Sequence, residues 1–224
     1  MRACLFSGGK DSTLALHMSE EAGRRVDLLV TLIPRSEFSY MFHRPNVELT
    51  GLQAEALGMK HEMVPTPGEK EAELADLERA LRDLGVDELV TGAIASIYQK
   101  NRVDALCAGL GIVHEAPLWG MDQVAEIREV AARMNAIITR TAADGLDEGM
   151  LGKRIDDAMV ERLIKLRERY KINVSFEGGE AETFVLDAPM FRKCISVVRA
   201  HVVMSGQAGT YVIDEARLEG KKHD

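Results

Sequence analysis

Ser7-Gly8-Gly9-Lys10-Asp11-Ser12 is the stretch on which the fold turns. It follows the apolar run Ala3-Cys4-Leu5-Phe6 and precedes the helix-forming Thr13-Leu14-Ala15-Leu16-His17-Met18. Two glycines remove Cβ atoms where a chain must bend closely around a ligand. The helix that follows aims its first, unpaired N–H groups back at the bend. Together these features make a pocket for a phosphate or pyrophosphate. Lys10 adds a mobile positive charge, and Ser7 and Ser12 add hydroxyl donors. This is not a Walker loop: Lys10 is followed by Asp11 instead of Ser or Thr, and no glycine precedes position 8.

Outward from this stretch, strand and helix signals alternate. Apolar runs occur at 3–6, 26–33, 60–64, 88–91 and 112–116, with helix-like stretches at 12–22, 47–57, 70–84 and 97–110 between them. Gly23, Gly58, Gly85 and Gly111 fall where these helices should stop, and Asn46 is a candidate N-cap for the second. The alternation predicts an α/β fold with a parallel, doubly wound sheet, and ligands beyond the carboxyl ends of its strands. Two further segments belong at that edge. The polar run 34–46 carries Arg35, Ser36, Ser39, Tyr40, His43 and Arg44. The segment Gly92-Ala93-Ile94 opens into 95–102, where Arg102 stands one helical turn beyond Tyr98.

After Pro117-Leu118-Trp119-Gly120 the pattern changes. Helices are expected at 124–134 and 156–170, strands at 136–141, 193–204 and 210–214, and a loop at 142–152. This divides the chain into a nucleotide-binding domain, 1–118, and a smaller α+β substrate-binding domain, 119–224. Within the second lies Glu177-Gly178-Gly179-Glu180-Ala181-Glu182-Thr183-Phe184, three carboxylates and a Gly-Gly pair in eight residues. Such an acidic turn beside a phosphate site can hold Mg²⁺, receive a cation, or accept a proton from an incoming amine.

Composition narrows the function. With 46% hydrophobic residues in 224, the chain can bury a large core. A net charge of −8 argues against a broad nucleic-acid face. No apolar run has the length of a membrane span and no signal peptide is visible, so the fold is expected to begin at residue 1. Cys4, Cys107 and Cys194 lie far apart, which disfavours a zinc knuckle, an iron–sulfur ligand set or a disulfide framework and fits a reducing cytoplasm. A homo-oligomer is compatible with all of this.

The loop resembles the PP-loop, S-G-G-x-D-S, of the ATP pyrophosphatases, whose HUP-like members cleave ATP between the α- and β-phosphates and transfer AMP to a substrate oxygen. Taken with Met41-Phe42-His43, Gly92 to Arg102, Pro117-Leu118-Trp119 and the run from Glu177 to Pro189, the chain resembles the diphthine–ammonia ligases, or diphthamide synthetases. That resemblance implies adenylation of the diphthine carboxylate on translation elongation factor 2, then displacement of AMP by ammonia. ATP is then a substrate, accompanied by Mg²⁺, and free ammonium supplies nitrogen because no glutaminase domain is visible. It also implies roles. Ser7, Gly8, Gly9, Lys10, Asp11 and Ser12 would bind the nucleotide, with Ile33, Gly92, Ala93 and Ile94 near its adenine. Lys10 and Asp11 would be catalytic, Asp11 alternatively facing Mg²⁺. His43, Tyr98, Arg102, Glu177, Gly178, Gly179, Glu180, Glu182 and Thr183 would meet diphthine, with Trp119, Tyr98 and Phe184 as aromatic partners for its trimethylammonium group. Two positions depart from the family pattern: Phe176, where a glycine is common, and Ala181, where an aromatic is common. The rival readings are a tRNA-modifying PP-loop enzyme, which usually needs a basic face, and a nucleotide-binding regulator without turnover.

Overall fold

Strand β1 (Arg2–Leu5) runs into helix α1 (Lys10–Glu21) through the Gly-Gly bend, and each later strand of the first half repeats that step. They are β2 (Leu28–Pro34), a 3-10 turn at Val47–Leu49 leading into α2 (Thr50–Leu57), β3 (Lys60–Thr66), α3 (Lys70–Asp83), β4 (Glu88–Val90), α4 (Ile97–Leu110) and β5 (Val113–Glu115). The structure, a computed structural model, describes residues 1–34, 46–67 and 70–221. All five strands are parallel, in the order β3-β2-β1-β4-β5. The chain winds outward from β1 to β3, then returns to the other side of β1 for β4 and β5. The order therefore reverses at β1, and a crevice opens beyond its carboxyl end, where the Ser7-to-Ser12 bend lies.

Period-two alternation assigns the two faces of this sheet. Cys4, Phe6 and Leu29 point to one core; Ala3, Leu28, Val30 and Leu89 point to another, beneath α3 and α4, with Leu77, Leu81 and Cys107. The first core does not end with the first sheet. It continues through Ile127, Val130, Ile137, Leu163 and Phe184. These come from α5 (Gln123–Arg133), β6 (Asn135–Thr141), α6 (Asp157–Tyr170) and β7 (Ala181–Asp187). With β8 (Lys193–Ser205) and β9 (Ala208–Gly220) these form an antiparallel sheet ordered β7-β6-β9-β8. Asp122 caps α5 by accepting from the Val124 and Ala125 N–H groups, and Asp156 caps α6 through Met159. No helix among the described residues is long and apolar enough to cross a membrane.

Several expectations need correction. Helix α1 begins at Lys10, so Lys10, Asp11 and Ser12 form its first turn, and Gly9 stands at the N-cap without a side-chain hydrogen bond. Asn46 does not cap the second helix. Its backbone is left-handed (φ 70°), its Nδ2 donates to the Tyr211 carbonyl at 3.1 Å, and its Oδ1 accepts from Ile213 N at 2.8 Å. It fastens the first sheet's helices to β9 instead. Residues 181–187 form a strand, so the acidic turn expected over 177–184 ends at Glu180 and its second half is part of the sheet. The last strand runs from 208 to 220 and not merely 210–214, because its partner β8 supplies a ladder along its whole length.

Candidate active site

At the end of β1, Phe6 N–H still donates to the Val30 carbonyl (2.8 Å), and then the chain leaves the sheet. Gly8 has φ +76°, and a Cβ there would lie 2.2 Å from Gln53 Oε1. Its carbonyl is held from two sides. Gln53 Nε2 donates to it from α2 (2.8 Å) and Val185 N–H donates to it from β7 (3.0 Å). The Gly9 carbonyl accepts from Thr13 Oγ1 (2.9 Å) and Ser12 Oγ (3.2 Å), and Ser12 Oγ in turn accepts from Ser7 N–H (3.2 Å). With both glycine carbonyls committed to protein, the bend presents N–H groups. Those of Gly8, Gly9, Asp11 and Ser12 make no hydrogen bond among the described residues. Four amides converging at a helix N-terminus are an anion cradle.

The end of β4 closes one wall. A Cβ on Gly92 would meet Asp11 C at 2.6 Å and Ser12 N at 2.7 Å, so glycine is there because two backbones pass in contact. Beyond it, Glu177 reaches across from the second half. Its carboxylate accepts from Ile94 N–H (3.3 Å) and Ser96 N–H (3.2 Å), at the start of α4. Glu177→Ala removes both acceptors, a loss on the order of 2 kcal/mol for charge-assisted bonds. The KM for ATP should rise at least about tenfold and the melting temperature should fall by several degrees; an unchanged KM would show that the segment holds itself.

Lys10, expected as a mobile positive charge, is buried and paired. Its side chain is 1% exposed, and its Nζ contacts Asp11 Oδ1 and lies 3.0 Å from Glu126 Oε1, with the Phe176 ring centroid 5.8 Å away. Glu126, in the first turn of α5, is 0% exposed, and its other carboxylate oxygen has no hydrogen-bond partner. Burial lowers the affinity of the Lys10 ammonium for its proton, but the carboxylates of Asp11 and Glu126 more than restore it, and its pKa is raised. Burial likewise pushes the Glu126 carboxyl up, to about 8, against the pull of Lys10. Glu126 and Gln53 carry no motif by which sequence alone could have found them. Phe176 did carry a signal: it adopts φ +62°, a conformation that suits the glycine common at this position in the resembling family.

The acidic run is distributed among several tasks. Thr183 Oγ1 accepts from Lys10 N–H (3.0 Å), so β7 lies directly on the loop. Gly179 (φ +82°) donates to the Phe176 carbonyl, and the Glu180 carboxylate accepts from Gly178 N–H (2.9 Å) and Asn173 N–H (3.0 Å), fixing the turn itself. Glu182 stands 3.5 Å from Arg140 Nη1. Tyr98 is 59% exposed and Arg102 stacks on it at 5.2 Å, while Trp119 lies beneath Lys100 at 5.3 Å. Phe184 is buried in the core. Ile33 is half-buried at the end of β2, beyond Thr31, whose hydroxyl donates to the Phe6 carbonyl. The expectation for His43 lies outside the described residues. The fold thus gathers Ser7 to Ser12, Gly92, Ile94, Glu177 and Thr183 into one place, and spends the Glu180 carboxylate on the backbone. Among the described residues no group of three His, Cys, Asp or Glu is arranged to hold a metal, and the Asp11 carboxylate is engaged by Lys10.

Comparison with known proteins covers both halves. The family profile described as diphthamide synthase N-terminal domain matches residues 1–114, and that described as diphthamide synthase C-terminal domain matches residues 122–218. A diphthine–ammonia ligase of Danio rerio is 33% identical over 223 residues, 89% of this chain and 87% of the relative. That of Homo sapiens is 32% identical, over 90% of this chain and 84% of the relative. That of Saccharomyces cerevisiae is 28% identical over 84% of this chain, but only 33% of the longer yeast protein is covered. Among solved structures, a predicted subunit of tRNA methyltransferase from Methanocaldococcus jannaschii superposes with a TM-score of 0.47 at 20% identity, over 84% of this chain and 98% of that one, too slight a likeness to bear on function.

Proposed function

The chain belongs to the diphthamide synthase family, and from that premise we propose that it is a diphthine–ammonia ligase. It amidates the diphthine carboxylate of translation elongation factor 2, using ATP and ammonium and releasing AMP and pyrophosphate. The observation that carries this reading is the family match over both halves, joined to a loop whose amides converge beside the acidic run.

A carboxylate is a poor acyl donor, and activation makes its leaving group good. The diphthine carboxylate oxygen attacks the α-phosphorus, the bond to the bridging oxygen breaks, and pyrophosphate leaves with that oxygen. Ammonia then attacks the acyl carbon, AMP departs with the activating oxygen, and a proton is lost from nitrogen. In the first step the amides of Gly8, Gly9, Asp11 and Ser12 hold the outer phosphates, and charge developing on the leaving group meets preorganised donors. The Lys10 ammonium supplies positive charge to the same region. Ser7 and Ser12 shape the bend, and the chain near Ile33 and Gly92, Ala93 and Ile94 borders the adenine. Tyr98, Arg102, Glu177 and the Gly178-Gly179 turn border the modified side chain, with Glu182 and the exposed Tyr98 and Trp119 rings suited to a trimethylammonium cation.

We read residues 1–118 as the nucleotide-binding unit and 119–224 as the substrate-binding unit, the second also furnishing the loop with Thr183 and Glu126. Mg²⁺ enters with the triphosphate; the described side chains form no site of their own for it, and none is assigned to it. The reaction belongs in the cytoplasm, beside its protein substrate. The test is direct. Purified protein with Mg-ATP, ammonium and diphthine-bearing elongation factor should release AMP and pyrophosphate and replace one carboxyl oxygen of the factor by nitrogen, read by intact mass. Nucleotide turnover without that change, or no turnover, overturns the proposal.

A further inference from the structure

Building on the nucleotide reading of the loop, we propose that the Lys10 ammonium is shared between Glu126 and the bound nucleotide, so that a phosphate-loaded loop keeps Glu126 protonated and must draw a proton from solution wherever that carboxyl is ionised. Lys10 is the first residue of α1, between Gly9 and Asp11, whose amides form part of the cradle. In the structure its ammonium faces inward, 3.0 Å from Glu126 Oε1. It cannot lend its charge to a phosphate without loosening that contact. Glu126 is fully buried and its second oxygen already lacks a partner, so a carboxylate abandoned there has nothing left to stabilise it. A buried charge in that position neutralises itself by taking up a proton. The arriving phosphate, itself anionic, pushes in the same direction.

Among the described residues, Lys10 is the cation that pairs with Glu126. On α5 itself, Arg128 pairs with Glu161, and Arg133 pairs with Glu129 and Glu21. On α6, Arg162 pairs with Asp147, and on β6, Arg140 pairs with Glu182. From α1 the charges acting on Glu126 are Lys10 and Asp11, and the Asp11 carboxylate favours the protonated form.

The sign of the pH dependence follows. Below a pH of about 8 the Glu126 carboxyl already carries its proton, and Lys10 is released without further cost. Above that pH, binding must draw a proton from solution, so affinity falls as pH rises, by up to about tenfold per unit. The probe is α,β-methylene-ATP, which cannot be cleaved at the reactive bond, titrated into the full-length protein from about pH 7 to about pH 9.5; its own phosphates titrate near pH 6 and stay silent. The expected Kd is flat at first and then weakens toward tenfold per unit. Calorimetry near pH 9, in two buffers of different ionisation enthalpy, should show uptake approaching one proton. Glu126→Gln should abolish both the slope and the uptake, and Glu126→Met, of similar bulk, should do the same if the amide fails to fold. An equal slope in these variants, or a flat Kd in the native protein, overturns the inference while leaving the loop reading in place. Absence of binding at every pH removes the loop reading and this inference together.

Discussion

Lys10→Ala should lower stability by about 3–5 kcal/mol well above pH 8, where Glu126 is ionised in the native protein, the range for removing one partner of a buried ion pair, and slow adenylation by about 10²–10³-fold. The stability loss comes from Glu126, which stays fully buried without its counter-charge. It must then hold a proton through folding. Its folded pKa lies far above its unfolded value near 4.3, so the stability it contributes is complete below that value and drains away as pH rises toward the folded pKa. In the native protein that drain stops near pH 8, where Lys10 lets the carboxyl ionise; without Lys10 it continues, so the variant should run parallel to the native protein below about pH 8 and fall behind progressively above it. Urea unfolding at about pH 7 and about pH 9.5 reads this directly. An equal loss at both would mean that lost packing against Phe176, and not charge, sets the cost.

Gly92→Ala should reduce kcat/KM for ATP by about 10²-fold, the cost of misplacing a reacting group by about an ångström. The added Cβ meets main chain, Asp11 C at 2.6 Å, Ser12 N at 2.7 Å and Asp11 O at 2.8 Å, and no rotamer change can relieve it. Either β4 or the first turn of α1 must move, and both border the phosphate cradle. Gly109→Ala is the control: it lies in α4, and a Cβ there has nothing within 4 Å. Pyrophosphate release for the two variants separates a local clash from a general effect of adding a methyl group. Native turnover in Gly92→Ala would mean that the contact between β4 and α1 yields without disturbing the amides.

Much of this was legible in the chain. The strand, bend and helix around Ser7 to Ser12, the parallel alternation and the glycines closing α2 and α4 are local features, written in local residues. What escaped reading was set by distance. Lys10 and Glu126 are 116 residues apart, and nothing near either announces a buried pair. β7 is hard to read because its burial has no period of two: Phe184, Val185 and Leu186 are buried in succession between Glu182 and Asp187, just after a Gly-Gly turn. Asn46 has the chemistry of a cap, but the backbone of β9 competes for it and wins with two hydrogen bonds. The Glu180 carboxylate, which reads as an open ligand for a cation, bonds backbone donors two and seven residues away along the chain.

The seam between β7 and the bend has an architectural price. Gly8 O takes a proton donor from Val185, Lys10 N–H finds its acceptor on Thr183, and Gln53 ties Gly8 O to Val185 O. An isolated amino-terminal half would possess every residue of the loop and keep Gln53, Ser12 and Thr13 on its carbonyls, yet lose the Val185 donor to Gly8 O and the Thr183 acceptor of Lys10 N–H. The shape of the bend is a property of the joined polypeptide, and grafting the hexapeptide elsewhere would transplant the letters without the instrument.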